Sequence, residues 1–331
     1  MMNKSKIDWC DFSWNPVTGC YHTCEYCYAR KQARRFCGDT RLNRSSGQIK
    51  QYIGDDMTGK ICYTLPQPFK NGSGATVPFP VGFLPTLHEY RLQMPAQKKK
   101  PANIFVCSMA DLFGEWVPES WILRVFEACK AAPQHNYLFL TKNPQRYCEL
   151  ANAGKLPALD NFWYGSTVTK KEDRHFGGSI RYNTFISIEP MLEPLDVGIG
   201  SFGGARWIIV GAETGNRAGK VKPEREWIEN IIETAKLTGA AVLLKDSDTM
   251  REVWGDNLLQ EFPPELEHDD VEIPHCKECQ YVAREPQGDR GTAYFCGSAN
   301  NKHIPGRYTR TSPLWCPKRR KEKQSWEDHT R

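Results

Sequence analysis

Residues 104–111 read Ile104-Phe105-Val106-Cys107-Ser108-Met109-Ala110-Asp111, an unbroken apolar run that ends abruptly in polar groups. The same grammar returns downstream. Tyr137-Leu138-Phe139-Leu140 leads into Thr141-Lys142, Phe162-Trp163-Tyr164 into Ser166-Thr167, and Phe185-Ile186-Ser187-Ile188 into Glu189-Pro190. Trp207-Ile208-Ile209-Val210 precedes Glu213, and Ala241-Val242-Leu243-Leu244 precedes Lys245-Asp246. Continuous apolar runs of this length fit parallel strands buried on both faces. Helical stretches lie between several of them. Trp121, Ile122, Val125, Phe126 and Cys129 fall on one stripe, as do Trp227, Ile228, Ile231, Ile232 and Ala235. A further helix is predicted from Pro144, with Asn143 as its N-cap and Gly154 as its stop.

Strand and helix in alternation mean an α/β fold. Polar residues collecting just after each strand are what a parallel (β/α) barrel shows at its C-terminal face, where ligands sit. A doubly wound open sheet gives the same grammar and is the alternative. Six strands are readable, one more is expected before Cys20, and another near Val81-Gly82-Phe83-Leu84. The expectation is therefore a partial six-stranded barrel, or up to eight strands, over residues 1–264. Residues 37–80 lack periodicity, are rich in Gly, Ser and Pro, and read as an insertion. From Pro263-Pro264 an acidic stretch with Glu265, Glu267, Asp269, Asp270 and Glu272 runs to Pro274, so 265–274 reads as a linker. A small Cys-rich, basic, metal-binding domain is expected over 275–331.

With 331 residues, 40% of them hydrophobic and 25% charged, the chain reads as soluble and globular. No apolar run approaches the ~20 residues that span a bilayer. The opening Met1-Met2-Asn3-Lys4-Ser5-Lys6 has no signal-peptide core. The expectation is a cytoplasmic protein with no membrane partner. In a reducing cytosol its 13 cysteines argue for metal where they cluster and for buried thiols where they scatter. Cys10, Cys37, Cys62, Cys107, Cys129 and Cys148 are scattered and read as small buried hydrophobes. The net charge is +5, and residues 277–331 hold 12 Lys/Arg against 6 Asp/Glu, so that segment accounts for the whole excess. The remainder sums close to neutral.

The first cluster is Gly19-Cys20-Tyr21-His22-Thr23-Cys24-Glu25-Tyr26-Cys27-Tyr28-Ala29-Arg30, with the spacing C-x3-C-x2-C. Soft thiolates this close favour an iron–sulfur centre or zinc. A closed structural zinc site wants four ligands, and no fourth cysteine lies at the usual spacing. With Tyr26 as the aromatic before the last cysteine, the triplet resembles the motif of the radical S-adenosylmethionine superfamily. Several stretches are further similar to one phage-associated family of unknown function within it, over roughly residues 5–264. They are Trp14-Asn15-Pro16-Val17-Thr18-Gly19-Cys20, Ser108-Met109-Ala110-Asp111-Leu112-Phe113-Gly114-Glu115-Trp116, Leu140-Thr141-Lys142, Ser187-Ile188-Glu189-Pro190 and Val210-Gly211-Ala212-Glu213-Thr214-Gly215.

The resemblance implies that Cys20, Cys24 and Cys27 ligate a 4Fe–4S cluster whose open iron chelates S-adenosylmethionine. It implies that Tyr26 lies against the bound nucleoside, and that a flavodoxin- or ferredoxin-type protein donates the electron. Many members bind the methionine amine with a Gly-Gly-Glu segment, and none is present between Gly38 and Ile104. The work is then expected of Ser108, Asp111, Lys142, Glu189 and Glu213. The alternative for each is a rim residue making a local hydrogen bond.

The second cluster, Cys276, Cys279, Cys296 and Cys316, has the spacing C-x2-C-x16-C-x19-C. Four cysteines in a short basic segment resemble a structural zinc site. An auxiliary iron–sulfur cluster and unpaired thiols are the alternatives. The run Lys318-Arg319-Arg320-Lys321-Glu322-Lys323, with Arg307 and Arg310 before it, suits a phosphate backbone or is merely solvated surface. Three functions compete: a radical enzyme acting on DNA, RNA or a nucleobase; one acting on a peptide or small metabolite; and a non-catalytic, metal-stabilised nucleic-acid-binding protein.

Overall fold

The computed structural model describes residues 2–177, 181–195, 202–215, 217–267, 279, 282–286, 292–297 and 301–304. In chain order, β1 (Met2–Lys4), β2 (Phe12–Trp14) and β3 (Val17–Thr18) precede helices α1 (Tyr28–Arg35) and α2 (Thr40–Ser45). Short strands β4 (Lys50–Gln51), β5 (Tyr63–Leu65) and β6 (Thr86–His88) lead to helix α3 (Met94–Gln97). Next come β7 (Asn103–Val106), α4 (Glu119–Lys130), β8 (Asn136–Thr141), α5 (Gln145–Asn152), β9 (Phe162–Thr167) and β10 (Asn183–Ile188). They are followed by β11 (Trp207–Val210), α6 (Arg225–Thr238), β12 (Ala241–Leu244) and α7 (Asp248–Trp254). Strands β13 (Val282–Pro286), β14 (Thr292–Cys296) and β15 (Lys302–Ile304) come last.

Eight strands form one sheet in the order β1-β2-β7-β8-β9-β10-β11-β12. β1 pairs antiparallel at its edge, and every pair from β2 onward is parallel. Each strand is added on the same side as the last. A doubly wound sheet reverses its strand order, so that alternative is excluded. All six apolar runs are strands of this sheet, and the strand expected before Cys20 is β2.

Both faces are buried, which is why the runs are continuous rather than alternating. Ile104, Val106, Tyr137, Phe139, Phe162 and Tyr164 point outward onto the apolar stripe of α4 and onto Tyr147 and Leu150 of α5. Ile186, Ile188, Ile208, Val210, Val242 and Leu244 do the same against α6. The intervening residues Phe105, Leu138, Trp163, Phe185, Trp207 and Leu243 meet on the other side around Trp9. The Trp9 ring lies 4.5 Å from Phe105 of β7 and 6.4 Å from Trp207 of β11. Those two rings are thus at most about 11 Å apart, where four spacings of a flat sheet cover about 19 Å. The sheet is curved, with Trp9 plugging its concave side. β12 does not pair with β1, so the curve stays open.

Two local expectations need correction. α5 starts at Gln145 with Pro144 at its cap, because Asn143 spends its side chain on the Phe113 carbonyl (2.9 Å). Residues 81–84 form no strand; Gly82 has φ +71°, and the strand nearby is Thr86–His88. It belongs to a second sheet of order β3-β6-β5-β4, to which residues 37–80 contribute two strands. The chain divides into two compact units, Met1–Leu266 and Glu267–Arg331. Leu266 is 1% exposed, and its carbonyl accepts from Asn103 Nδ2 at 2.8 Å.

The described part of the second unit is an antiparallel meander, β13-β14-β15. Its Cys296 and Ile304 are buried, with Val282 and Tyr294 packed against them. Cys276, Cys316, His275 and the basic run 318–323 lie outside the described residues. Among the described residues no helix is long and apolar enough to cross a membrane.

Candidate active site

The chain leaves β2 and β3 through Gly19 and enters the three-cysteine loop. Gly19 has φ +89°, and a Cβ there would stand 2.3 Å from the Leu84 carbonyl oxygen, so only glycine fits. Its amide donates to the Met109 carbonyl at 2.9 Å, and the Cys20 amide donates to the Phe83 carbonyl at 3.1 Å. The loop closes on α1, whose N-cap is Cys27. From α1, Arg30 reaches back and donates to the carbonyls of Cys20 and His22, its guanidinium lying 5.0 Å from the Phe83 ring centre.

Two of the three sulfurs already accept backbone amides: Cys20 Sγ from His22 and Cys27 Sγ from Arg30, each at 3.4 Å. None of the three is in a disulfide, and all are partly exposed. Burial pushes the Cys20 thiol up to about 12, and the Asp111 charge adds to it. That sulfur is a thiol unless a cationic centre binds it. Among the described residues no three His, Cys, Asp or Glu side chains gather tightly enough for a single metal ion. A lone ion needs its ligands in one coordination sphere, whereas a four-iron cluster takes each thiolate on a different iron.

Under this loop lies the end of β7. Cys107 is buried and has φ +63°, a left-handed turn that costs a non-glycine residue about 1–2 kcal/mol. The turn delivers Ser108 and Asp111. Ser108 Oγ and the Met109 amide hold Asn15, at 3.3 and 2.8 Å, and the Ser108 carbonyl accepts from Tyr28 Oη at 2.7 Å. Asp111 is 6% exposed, and both its oxygens are occupied. Oδ1 accepts from Thr141 Oγ1 (2.7 Å) and the Phe113 amide (3.1 Å). Oδ2 accepts from the Lys142 amide (2.9 Å) and meets His22 Nε2 at 3.0 Å. Asp111 therefore ties the cysteine loop to the end of β8. Lys142 adds a second tie, its Nζ donating to Tyr26 Oη at 2.9 Å.

The remaining rim residues lie after β10, β11 and β12. Glu189 pairs with Lys245 and keeps its side chain 26% exposed. Glu213 is 1% exposed and receives Arg217 through two bonds, Nε at 2.6 Å and Nη2 at 2.8 Å. Those bonds hold its carboxyl below the usual carboxylate range. Arg217 also reaches Glu25 of the cysteine loop at 3.3 Å. Asp111, Lys142 and Tyr26 are thus in direct contact, Ser108 joins them through Tyr28, and Glu213 reaches the loop through Arg217. Sequence reasoning overlooked Ser187. Its Oγ is buried on the inner side of β10 with no hydrogen-bond partner. The signals were a hydroxyl inside an apolar run and its place in the family-like stretch Ser187-Ile188-Glu189-Pro190.

A family model described as a protein of unknown function (DUF5131) matches residues 4–254. No curated protein matches the chain. Similar solved structures include spore photoproduct lyase as a double mutant with bound AdoMet and dinucleoside spore photoproduct, 8% identical with a TM-score of 0.36. A single mutant with the dinucleoside is 9% identical at 0.36, and the complexed enzyme is 8% identical at 0.35. Each comparison covers 91% of this chain and 72% of the other.

Proposed function

The chain belongs to the DUF5131 family, whose function is unknown, and we propose that it is a radical S-adenosylmethionine enzyme acting on a nucleic acid or nucleobase. The observation that carries the reading is the C-x3-C-x2-C loop with Tyr26, fastened at the C-terminal edge of a curved parallel sheet. The donor set fits the group. Three thiols would each take one iron of a 4Fe–4S cluster, leaving one iron for the amino and carboxylate groups of the cofactor. Bound there, the pair would supply one-electron cleavage of the sulfonium C–S bond, giving methionine and a 5′-deoxyadenosyl radical that takes hydrogen from the substrate.

The protein's part is orientation and exclusion of water. Lys142 holds the Tyr26 ring at the rim, where it would lie against the nucleoside. With Asp111 and Glu213 both saturated by protein donors, Glu189, which gives one oxygen to Lys245, is the acid that would meet the methionine ammonium through its other oxygen, in place of the missing Gly-Gly-Glu segment. Ser187 Oγ offers an unused hydrogen-bonding group on the inner side. Trp9, Phe105, Phe185 and Trp207 close the concave side against water. Support for a nucleic-acid substrate in the sequence is the basic run 318–323 with Arg307 and Arg310.

Anaerobic reconstitution tests the reading. The wild type is expected to bind about four irons, absorb as a cluster, and release 5′-deoxyadenosine on reduction. Cys20→Ala, Cys24→Ala or Cys27→Ala should each lose both signals with unchanged far-UV circular dichroism, since the loop lies outside the core. A triple variant with wild-type iron and cleavage rejects the proposal. Deuterium transfer from labelled DNA, RNA or nucleosides into 5′-deoxyadenosine identifies the substrate class.

A further inference from the structure

Beyond the cysteine loop, α1 and α2 carry a long, nearly unopposed run of positive charge. Residues 28–50 hold Arg30, Lys31, Arg34, Arg35, Arg41, Arg44 and Lys50 against the single acid Asp39. Arg30 is folded onto the cysteine loop; the other six cations are exposed. Among the described residues no carboxylate pairs with any of the six. Asp39 is spent as the α2 N-cap, accepting the Arg41 amide at 2.9 Å and the Leu42 amide at 3.3 Å. Buried Asn43 of α2 ties that helix to the turn after α1 and to the segment at Pro80, donating to the carbonyls of Cys37 (2.7 Å) and Pro80 (2.8 Å).

Part of this charge has a local explanation. Arg34 and Arg35 stand in the last turn of α1, where the helix dipole favours cations. Arg44 stands likewise in the last turn of the short α2; that leaves Lys31, Arg41 and Lys50 without such an account. Two aromatics are interleaved with the cations. Tyr28 fixes its hydroxyl on the Ser108 carbonyl yet leaves half of its surface exposed, beside the site; Phe36 is exposed with Arg35 5.3 Å from its ring centre. An acidic protein would be met by charge alone. Guanidinium forks with exposed rings are the combination that follows phosphates and stacks bases.

We propose that the α1–α2 face is the surface that takes a single-stranded nucleic acid, its phosphates on Lys31, Arg34, Arg35, Arg41 and Arg44 and a base stacked on the Tyr28 ring. The proposal names the substrate surface for the radical site described above and rests on that reading. The surface begins at Tyr28, one residue after Cys27, so a strand lying on it runs toward the cluster loop.

The test uses full-length protein and fluorescent single-stranded DNA and RNA oligonucleotides, read by anisotropy across a salt series. Arg34→Ala/Arg35→Ala/Arg41→Ala/Arg44→Ala is expected to raise Kd at least ~10-fold at low salt. It should lower the salt slope by about 0.7 for each phosphate no longer neutralised. Tyr28→Leu should raise Kd several-fold with the slope unchanged, because stacking is not ionic. Iron content and dithionite-driven release of 5′-deoxyadenosine without substrate should stay at wild-type level in the quadruple variant. That readout separates the two claims: wild type that binds oligonucleotide but never cleaves the cofactor sinks the radical reading alone. Wild-type affinity and slope in the quadruple variant overturn the surface. The same holds if the variant keeps oligonucleotide binding and loses only reduction by an acidic flavodoxin-type donor.

Discussion

Asp111 shows how a residue expected to bind a ligand can be engaged by the protein itself. Sequence marks it as an acid just beyond a strand, which is where ligand-binding groups gather. Its four donors, from His22, Phe113, Thr141 and Lys142, occupy both oxygens and leave nothing for a ligand. It positions the cysteine loop. Removing it strands several buried donors at once, each costing roughly 1–3 kcal/mol. Asp111→Ala is therefore expected to lower unfolding stability by about 3 kcal/mol or more. It should also cut iron incorporation, because His22 sits between two cysteine ligands. Asp111→Asn keeps one acceptor oxygen but turns an amide toward a donor, and should fall between. Urea denaturation and iron per chain measure both effects. A variant as stable as wild type that has lost cofactor affinity would restore Asp111 as a direct ligand.

At the scale of elements, the strands were legible and the turns were not. Burial on both faces writes itself as an unbroken apolar run, so β7 through β12 stand out. β6 was hidden because it buries Thr86 and His88, whose polar groups are satisfied by Thr18, Tyr90 and the Leu84 carbonyl. No local pattern announces a polar strand whose partners are distant in the chain. The segment after β11 shows the same limit. Glu213 was identified, but not its pairing with Arg217 four residues on, nor the reach of Arg217 to Glu25. That pairing sets a pH dependence. Because the folded carboxyl titrates below its unfolded value, its stabilisation is complete above about pH 4.3 and is lost as pH falls through the depressed value. As pH falls below about 4.3, the wild-type denaturation midpoint is expected to fall more steeply than that of Glu213→Gln. Parallel acid limbs for the two proteins would show that the pair contributes nothing to stability.

For the whole molecule, the curvature of the sheet and the local charge were beyond a linear reading. Curvature follows from Trp9 filling the space between β7 and β11, a contact spanning nearly 200 residues of chain. The charge sum placed the excess after residue 277 and called the rest neutral, which concealed the six exposed cations of residues 28–50 behind acids elsewhere. Division into two units makes the metal content separable. Among its described residues the second unit buries Cys296 and Ile304. A metal held there would stabilise the unit, and Cys276, Cys279, Cys296 and Cys316 are the expected ligands. Full-length protein carrying its cluster should then contain about one zinc beside about four irons. The cut belongs after Leu266, whose side chain and carbonyl are both engaged by the first unit. Such a truncation should remove the zinc and leave iron and reductive cleavage of S-adenosylmethionine largely intact. About eight irons with no zinc would make the second unit an auxiliary cluster site. Full-length protein with neither extra iron nor zinc would leave its four cysteines as thiols and reject a metal site in that unit.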